Sequence, residues 1–119
     1  MNAVGIDVSK GKSMVAVARP FGEVISKPFG VSHTASELRE LADYLKSLDG
    51  ETRVILEHTG RYYEPVAQML HDAGIFVSAV NPKIIKDDGN KSQRKVKTEK
   101  ADYLKIERYG LENWDELRQ

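Results

Sequence analysis

The stretch Ala3-Val4-Gly5-Ile6-Asp7-Val8, continued by Ser9-Lys10-Gly11-Lys12 and then by Met14-Val15-Ala16-Val17-Ala18, decides how the chain is read. Two short apolar runs joined by a Lys-Gly turn predict a β-hairpin. Arg19-Pro20-Phe21-Gly22 turns the chain again, and Glu23 to Phe29, with Val24 and Ile25 as apolar members, is expected to complete a three-stranded antiparallel meander. Asp7 is the informative residue. A carboxylate inside a core-type strand is costly to desolvate unless a cation or hydrogen-bond donors compensate it. Two readings are open: Asp7 caps the following turn through backbone N–H groups, or it belongs to a site.

Downstream, Thr34 with Glu37 three residues on has the form of a capping box. Leu38, Leu41, Ala42, Leu45 and Leu48 share one face, and Gly50 stands where a helix stops. Arg53-Val54-Ile55-Leu56 is an unbroken run that predicts a strand buried on both faces, delivering Glu57 at its carboxyl end before Thr59-Gly60. A second helix is expected from about Tyr62 to Ala73, with Pro65 in its first turns, a stripe of Val66, Met69, Leu70 and Ala73, and Gly74 as terminator. Ile75 to Val80 forms the fifth strand, ended by Asn81-Pro82. A last helix, from roughly Thr98 to Tyr109, carries Leu104 and Ile106 among charged residues. Three antiparallel strands followed by two strands each reached through a helix define an α/β fold, a mixed five-stranded sheet flanked by helices. Ligands gather at the carboxyl ends of strands in such sheets, where both Asp7 and Glu57 fall.

A chain of 119 residues suits one domain, and 40% hydrophobic with 30% charged residues is an ordinary globular composition. The longest apolar run is too short to cross a bilayer, and Met1 to Asp7 lacks the layout of a signal peptide. There is no cysteine, hence no disulfide or thiolate metal site. A cytoplasmic location is expected. His33, His58 and His71 show no paired ligand spacing, which argues against zinc. His58 follows Glu57 and faces either the same site or the opposite side of the sheet. Trp114 either packs the acidic carboxyl-terminal stretch down or meets a further domain.

The formal net charge is zero, which argues against nucleic-acid binding by bulk charge, but the charge is unevenly spread. Residues 81–105 hold 8 basic and 4 acidic side chains, whereas residues 1–80 hold 8 and 10. The basic set is Lys83, Lys86, Lys91, Arg94, Lys95, Lys97, Lys100 and Lys105, around the loop signal Gly89-Asn90. It reads either as a solvated loop or as a phosphate-contacting arm. Glu99 and Asp102 are three apart on the last helix, so one helix edge presents both, either to solvent or toward Asp7 and Glu57. Four convergent carboxylates would repel one another without divalent cations between them. Hard oxygen ligands of this kind suit Mg²⁺ or Mn²⁺, and an ion pair about 3.5–4 Å apart suits phosphodiester chemistry.

Gly5-Ile6-Asp7-Val8-Ser9-Lys10, Leu56-Glu57-His58-Thr59-Gly60 with Tyr62 or Tyr63, Val80-Asn81-Pro82 and Lys97-Thr98-Glu99-Lys100-Ala101-Asp102 resemble, in order, the successive signatures of DEDD-type insertion-sequence transposases. The resemblance spans nearly the whole chain. It implies a ribonuclease H-like (RuvC-like) fold over residues 1–110, followed by an acidic tail, 111–119, leading to a carboxyl-terminal domain that supplies a nucleophilic serine. It further implies Mg²⁺-dependent DNA strand chemistry and an acidic tetrad on Asp7, Glu57, Glu99 and Asp102. DNA is the implied partner, with a guide-type RNA and a homo-oligomeric parent enzyme. Lys83, Lys86, Lys91, Arg94, Lys95, Lys97 and Lys100 would be the nucleic-acid contacts, and Tyr103 and Tyr109 either stack on bases or pack the last helix. Glu99 departs from the family pattern, which has Asp there.

Two other functions compete. A strand bearing Asp7 followed by Ser9-Lys10-Gly11-Lys12 also resembles the phosphate-gripping first hairpin of actin-like and sugar-kinase ATPases, although no second glycine-rich loop follows. A noncatalytic nucleic-acid-binding or dimerisation module is the third reading.

Overall fold

The strands form where the apolar runs alternate or persist, and the helices form where a cap opens a leucine-rich stripe. In the computed structural model, which describes residues 1–20, 23–58, 60–85 and 102–119, the order is β1 (Asn2–Ser9), β2 (Lys12–Ala18), β3 (Val24–Ser32), α1 (Ala35–Lys46), β4 (Thr52–Glu57), α2 (Tyr63–Asp72), β5 (Phe76–Val80), α3 (Asp102–Glu112) and a 3-10 turn, Trp114–Glu116. The described strands make one five-stranded sheet in the order β3-β2-β1-β4-β5. β1 pairs antiparallel with β2 and β2 with β3. β4 lies parallel to both β1 and β5; α1 leads into β4 and α2 into β5, as parallel neighbours require a crossover connection.

Strand alternation divides the sheet into two faces. Val4, Ile6, Val15, Val17, Val54, Leu56 and Val77 pack with Leu38, Leu41, Leu45, Val66 and Leu70 under α1 and α2. Ala3, Ile55 and Val80 pack with Ile85, Ile106 and Leu117 on the other face, under α3. Each fully buried leucine or isoleucine contributes about 1.5–3 kcal/mol. Thr34 caps α1 as expected, its hydroxyl accepting from the Glu37 amide at 3.3 Å. The reciprocal bond differs from a capping box: the Glu37 carboxylate accepts from the Ser32 amide at 2.8 Å, tying the helix to the end of β3.

α3 lies unusually close to β1. A Cβ built on Gly5 would stand 2.5 Å from the Tyr103 carbonyl oxygen and 2.7 Å from the Glu107 amide nitrogen, and one on Gly110 would collide with Ile55. Glycine on both surfaces lets helix and strand approach backbone to backbone. Tyr103 and Glu107 lie over Gly5 while Gly110 lies near Ala3. The helix therefore runs antiparallel to β1, and its amino terminus reaches the carboxyl edge of the strand.

The opposite edge is fastened by polar contacts. Asn2 is fully buried; its amide donates to the Asp49 carbonyl at 2.7 Å and to the Thr52 hydroxyl at 3.1 Å, and its oxygen accepts from Arg19 Nε at 2.8 Å. A buried amide so satisfied costs little and fixes register. Arg53 donates to Glu51 at 2.7 Å and to the Trp114 carbonyl at 2.6 Å, with its guanidinium 4.6 Å from both the Phe76 and Trp114 ring centres. Trp114 thus packs the carboxyl-terminal stretch onto the sheet, and Leu117 is buried beside it. The helix runs past Tyr109 and residue 110 to Glu112, and Tyr109 packs against this same cluster.

β3 is longer than its sequence suggested, reaching Ser32 through Pro28 and Gly30. Both residues are tolerated because β3 is an edge strand whose ladder to β2 already shifts register near Val17. Just beyond it, the His33 amide donates to the Gly11 carbonyl at 3.1 Å and its Nε2 lies 2.7 Å from the Ser13 hydroxyl. Burial lowers the His33 pKa below its ordinary 6.5, because the imidazolium is the form that loses hydration. The neutral ring is favoured in the fold, so this contribution to stability is complete above 6.5 and falls as the pH drops from there through the lowered value. The urea midpoint of the parent should fall more than that of a His33→Gln variant over that acidic window; parallel curves would contradict the assignment.

Candidate carboxylate site

Asp7 sits in the β1 ladder opposite Met14, two residues before the hairpin turn. The turn is closed by the Ser9 hydroxyl donating to the Lys12 carbonyl at 3.0 Å, with Gly11 at φ 74°. Asp7 shares the parity of Ala3 and Gly5, so its side chain projects to the α3 face. Glu57 ends β4 and shares the parity of Ile55, on the same face. The parallel register pairs Gly5 with Ile55 and Ile6 with Leu56, so the next step along both strands sets Asp7 beside Glu57. Neighbouring strands lie about 4.8 Å apart. Two half-buried acids are thereby held side by side at the carboxyl ends of adjacent parallel strands.

Asp102 opens α3. The close packing at Gly5 brings this end of the helix to the same edge of the sheet. Glu99 lies outside the described residues, as do Lys86, Lys91, Arg94, Lys95, Lys97 and Lys100. The described residues contain no group of three or more metal-ligating side chains. Two members of the expected tetrad are thus brought together on the sheet, and the helix carrying a third begins at their edge. Lys83 is exposed in a helical turn at 82–85, which Asn81 starts by accepting from the Lys83 amide at 2.8 Å and, through its carbonyl, from the Ile84 amide at 2.9 Å. The His58 ring lies 6.2 Å from that of Tyr63, which packs on the α2 side, so it goes with the face opposite Glu57. Lys12, which the sequence offered only as part of the Ser9-Lys10-Gly11-Lys12 turn, is placed by the register on the Asp7 face.

A mixed sheet with paired acids at the carboxyl edge of its first and fourth strands, backed by a helix on the same face, defines a ribonuclease H-like domain. Thermus thermophilus RuvC has this fold: the two structures align with a TM-score of 0.62 at 16% identity over 90% of each chain. T. thermophilus RuvC in complex with a Holliday junction substrate aligns with a TM-score of 0.58 at 15% identity, over 93% of this chain and 97% of that one. Among curated proteins none matches the sequence. The chain belongs to the DEDD transposases of the IS110 type, a family described as transposase, whose pattern matches residues 4–119. Its role is therefore in DNA transposition and recombination. No described helix is long and apolar enough to cross a membrane.

Proposed function

We propose that this domain supplies the metal-binding carboxylates of a DNA-strand-cleaving transposase, with Asp7, Glu57, Glu99 and Asp102 as the acidic tetrad and Mg²⁺ or Mn²⁺ as the ion. The observation that carries the reading is the side-by-side placement of Asp7 and Glu57 on one sheet face, at the edge where α3 begins. Their donor set, hard carboxylate oxygens with no sulfur, fits these ions. When bound, the ion supplies Lewis acidity at a phosphoryl oxygen and lowers the pKa of coordinated water. Asp7 and Glu57 fix the position of the charge because their strands are ladder-bonded and buried beneath. Asp102 joins them through the helix seated on Gly5. Glu99 extends the set, its additional methylene giving longer reach than the Asp usual in the family. The basic residues from Lys83 to Lys100 would contact phosphates of DNA or of a guide-type RNA, in a cytoplasmic homo-oligomer whose carboxyl-terminal part contributes the nucleophile.

The test is strand cleavage by a full-length transposase carrying this domain, in Mg²⁺ and in Mn²⁺. Asp7→Asn and Glu57→Gln should each reduce cleavage by more than about 100-fold, above the range for residues that only orient ligands, with DNA binding retained. Cleavage at parental rates by either variant would remove that residue from the metal site.

A further inference from the structure

Gly30 poses a problem of its own. It lies inside edge strand β3, where glycine weakens a strand, and its φ is not in the left-handed range that would demand it. What it does provide is space. A Cβ at Gly30 would stand 2.6 Å from Cε and 3.2 Å from Nζ of Lys12, with Met14 Sδ next at 3.6 Å. The Lys12 stem therefore lies across the bare backbone of β3.

The face on which it lies is the one that matters. Met14 pairs with both Asp7 and Gly30, and directly paired residues project to the same side, so Lys12, two residues before Met14, shares the face of Asp7. It stands diagonally across the β1–β2 ladder from Asp7, a separation of roughly 7–8 Å between backbones. Beyond it, Pro28 and Gly30 leave the α3 side of β3 exposed. The described ion pairs engage Arg19, Arg53 and Arg108, and among the described residues no carboxylate is paired with Lys12.

We infer that Lys12, held over Gly30, is a phosphate-contacting residue for DNA, and that the open β2–β3 surface beside Asp7 is the floor along which the DNA backbone approaches the carboxylates. The inference rests on the reading of Asp7 and Glu57 as a DNA-processing site. A cation whose stem lies along the sheet keeps its ammonium near the surface beside Asp7, and a glycine floor lets a phosphodiester backbone come close without displacing side chains. The neighbouring acids would otherwise repel the phosphates, and Lys12 offsets that repulsion at the point of entry.

The experiment measures affinity of the 119-residue chain for a fluorescein-labelled DNA duplex across a salt series, for the parent, Lys12→Gln and Gly30→Val. Lys12→Gln should lower the slope of log K against log salt by about 0.9, one phosphate contact. Gly30→Val keeps the net charge and replaces a weak strand former with a strong one, so it should fold at least as stably. It displaces Lys12 and should weaken binding, and the double variant should bind no worse than Lys12→Gln alone. If the parent binds and both variants bind with its affinity and slope, Lys12 is not a contact and this inference falls while the transposase reading stands. If the parent itself does not bind DNA, the inference falls together with the reading of Asp7 and Glu57 as a DNA-processing site in this chain.

Discussion

Gly5→Val should unfold much of the population: a loss of about 3–5 kcal/mol in urea denaturation is expected, at the upper end of what overpacking produces. The reason is the kind of atom met. A Cβ at Gly5 runs into the Tyr103 carbonyl and the Glu107 amide, backbone groups of α3 that move only if the whole helix moves. Lifting α3 would expose Ala3, Ile55 and Ile106, buried beneath and along it. It would also carry Asp102 away from the Asp7 edge. The same substitution at Gly30 meets the far end of a flexible lysine and should cost little. If the two variants were equally stable, α3 would not be seated on β1.

Asp7→Asn should abolish the stabilisation that a bound divalent ion gives the fold. With Mn²⁺ at about 100 times its dissociation constant, the parent should gain about 2.7 kcal/mol and the variant nothing. The melting temperature of the parent should therefore rise with Mn²⁺ while that of the variant does not. A variant that gains as much as the parent from Mn²⁺ would place the ion elsewhere.

The sheet and helices were legible because their signals were local. The continuous run Val54-Ile55-Leu56 could only belong to a strand covered on both sides, and it is. Thr34 and Gly74 marked helix limits through a cap and a positive φ, whereas α1 stops at Lys46 with Ser47 as its cap, ahead of Gly50. The last residues of β3 were hidden because Gly30 commonly ends a strand, and its tolerance depends on the edge position, which is a property of the assembled sheet. Asp7 and Glu57 could be picked out as acids at strand ends, but their adjacency needed the parallel register of β1 and β4. Lys12 stood in a turn the sequence did pick out, but its place beside Asp7 was hidden for the same reason: its face is set by pairing, and the space it fills belongs to a glycine eighteen residues on. Trp114 left two destinations open, and Arg53, far away in sequence, decided between them.

The most direct test of the central claim is paramagnetic broadening of backbone amide resonances by substoichiometric Mn²⁺, in the parent and in Asp7→Asn. The account predicts that the signals of Asp7, Val8, Glu57 and His58 disappear first, and that the variant shows no such focus. Broadening centred on another part of the surface, or persisting unchanged in the variant, would mean that the paired carboxylates at the ends of β1 and β4 do not hold the metal.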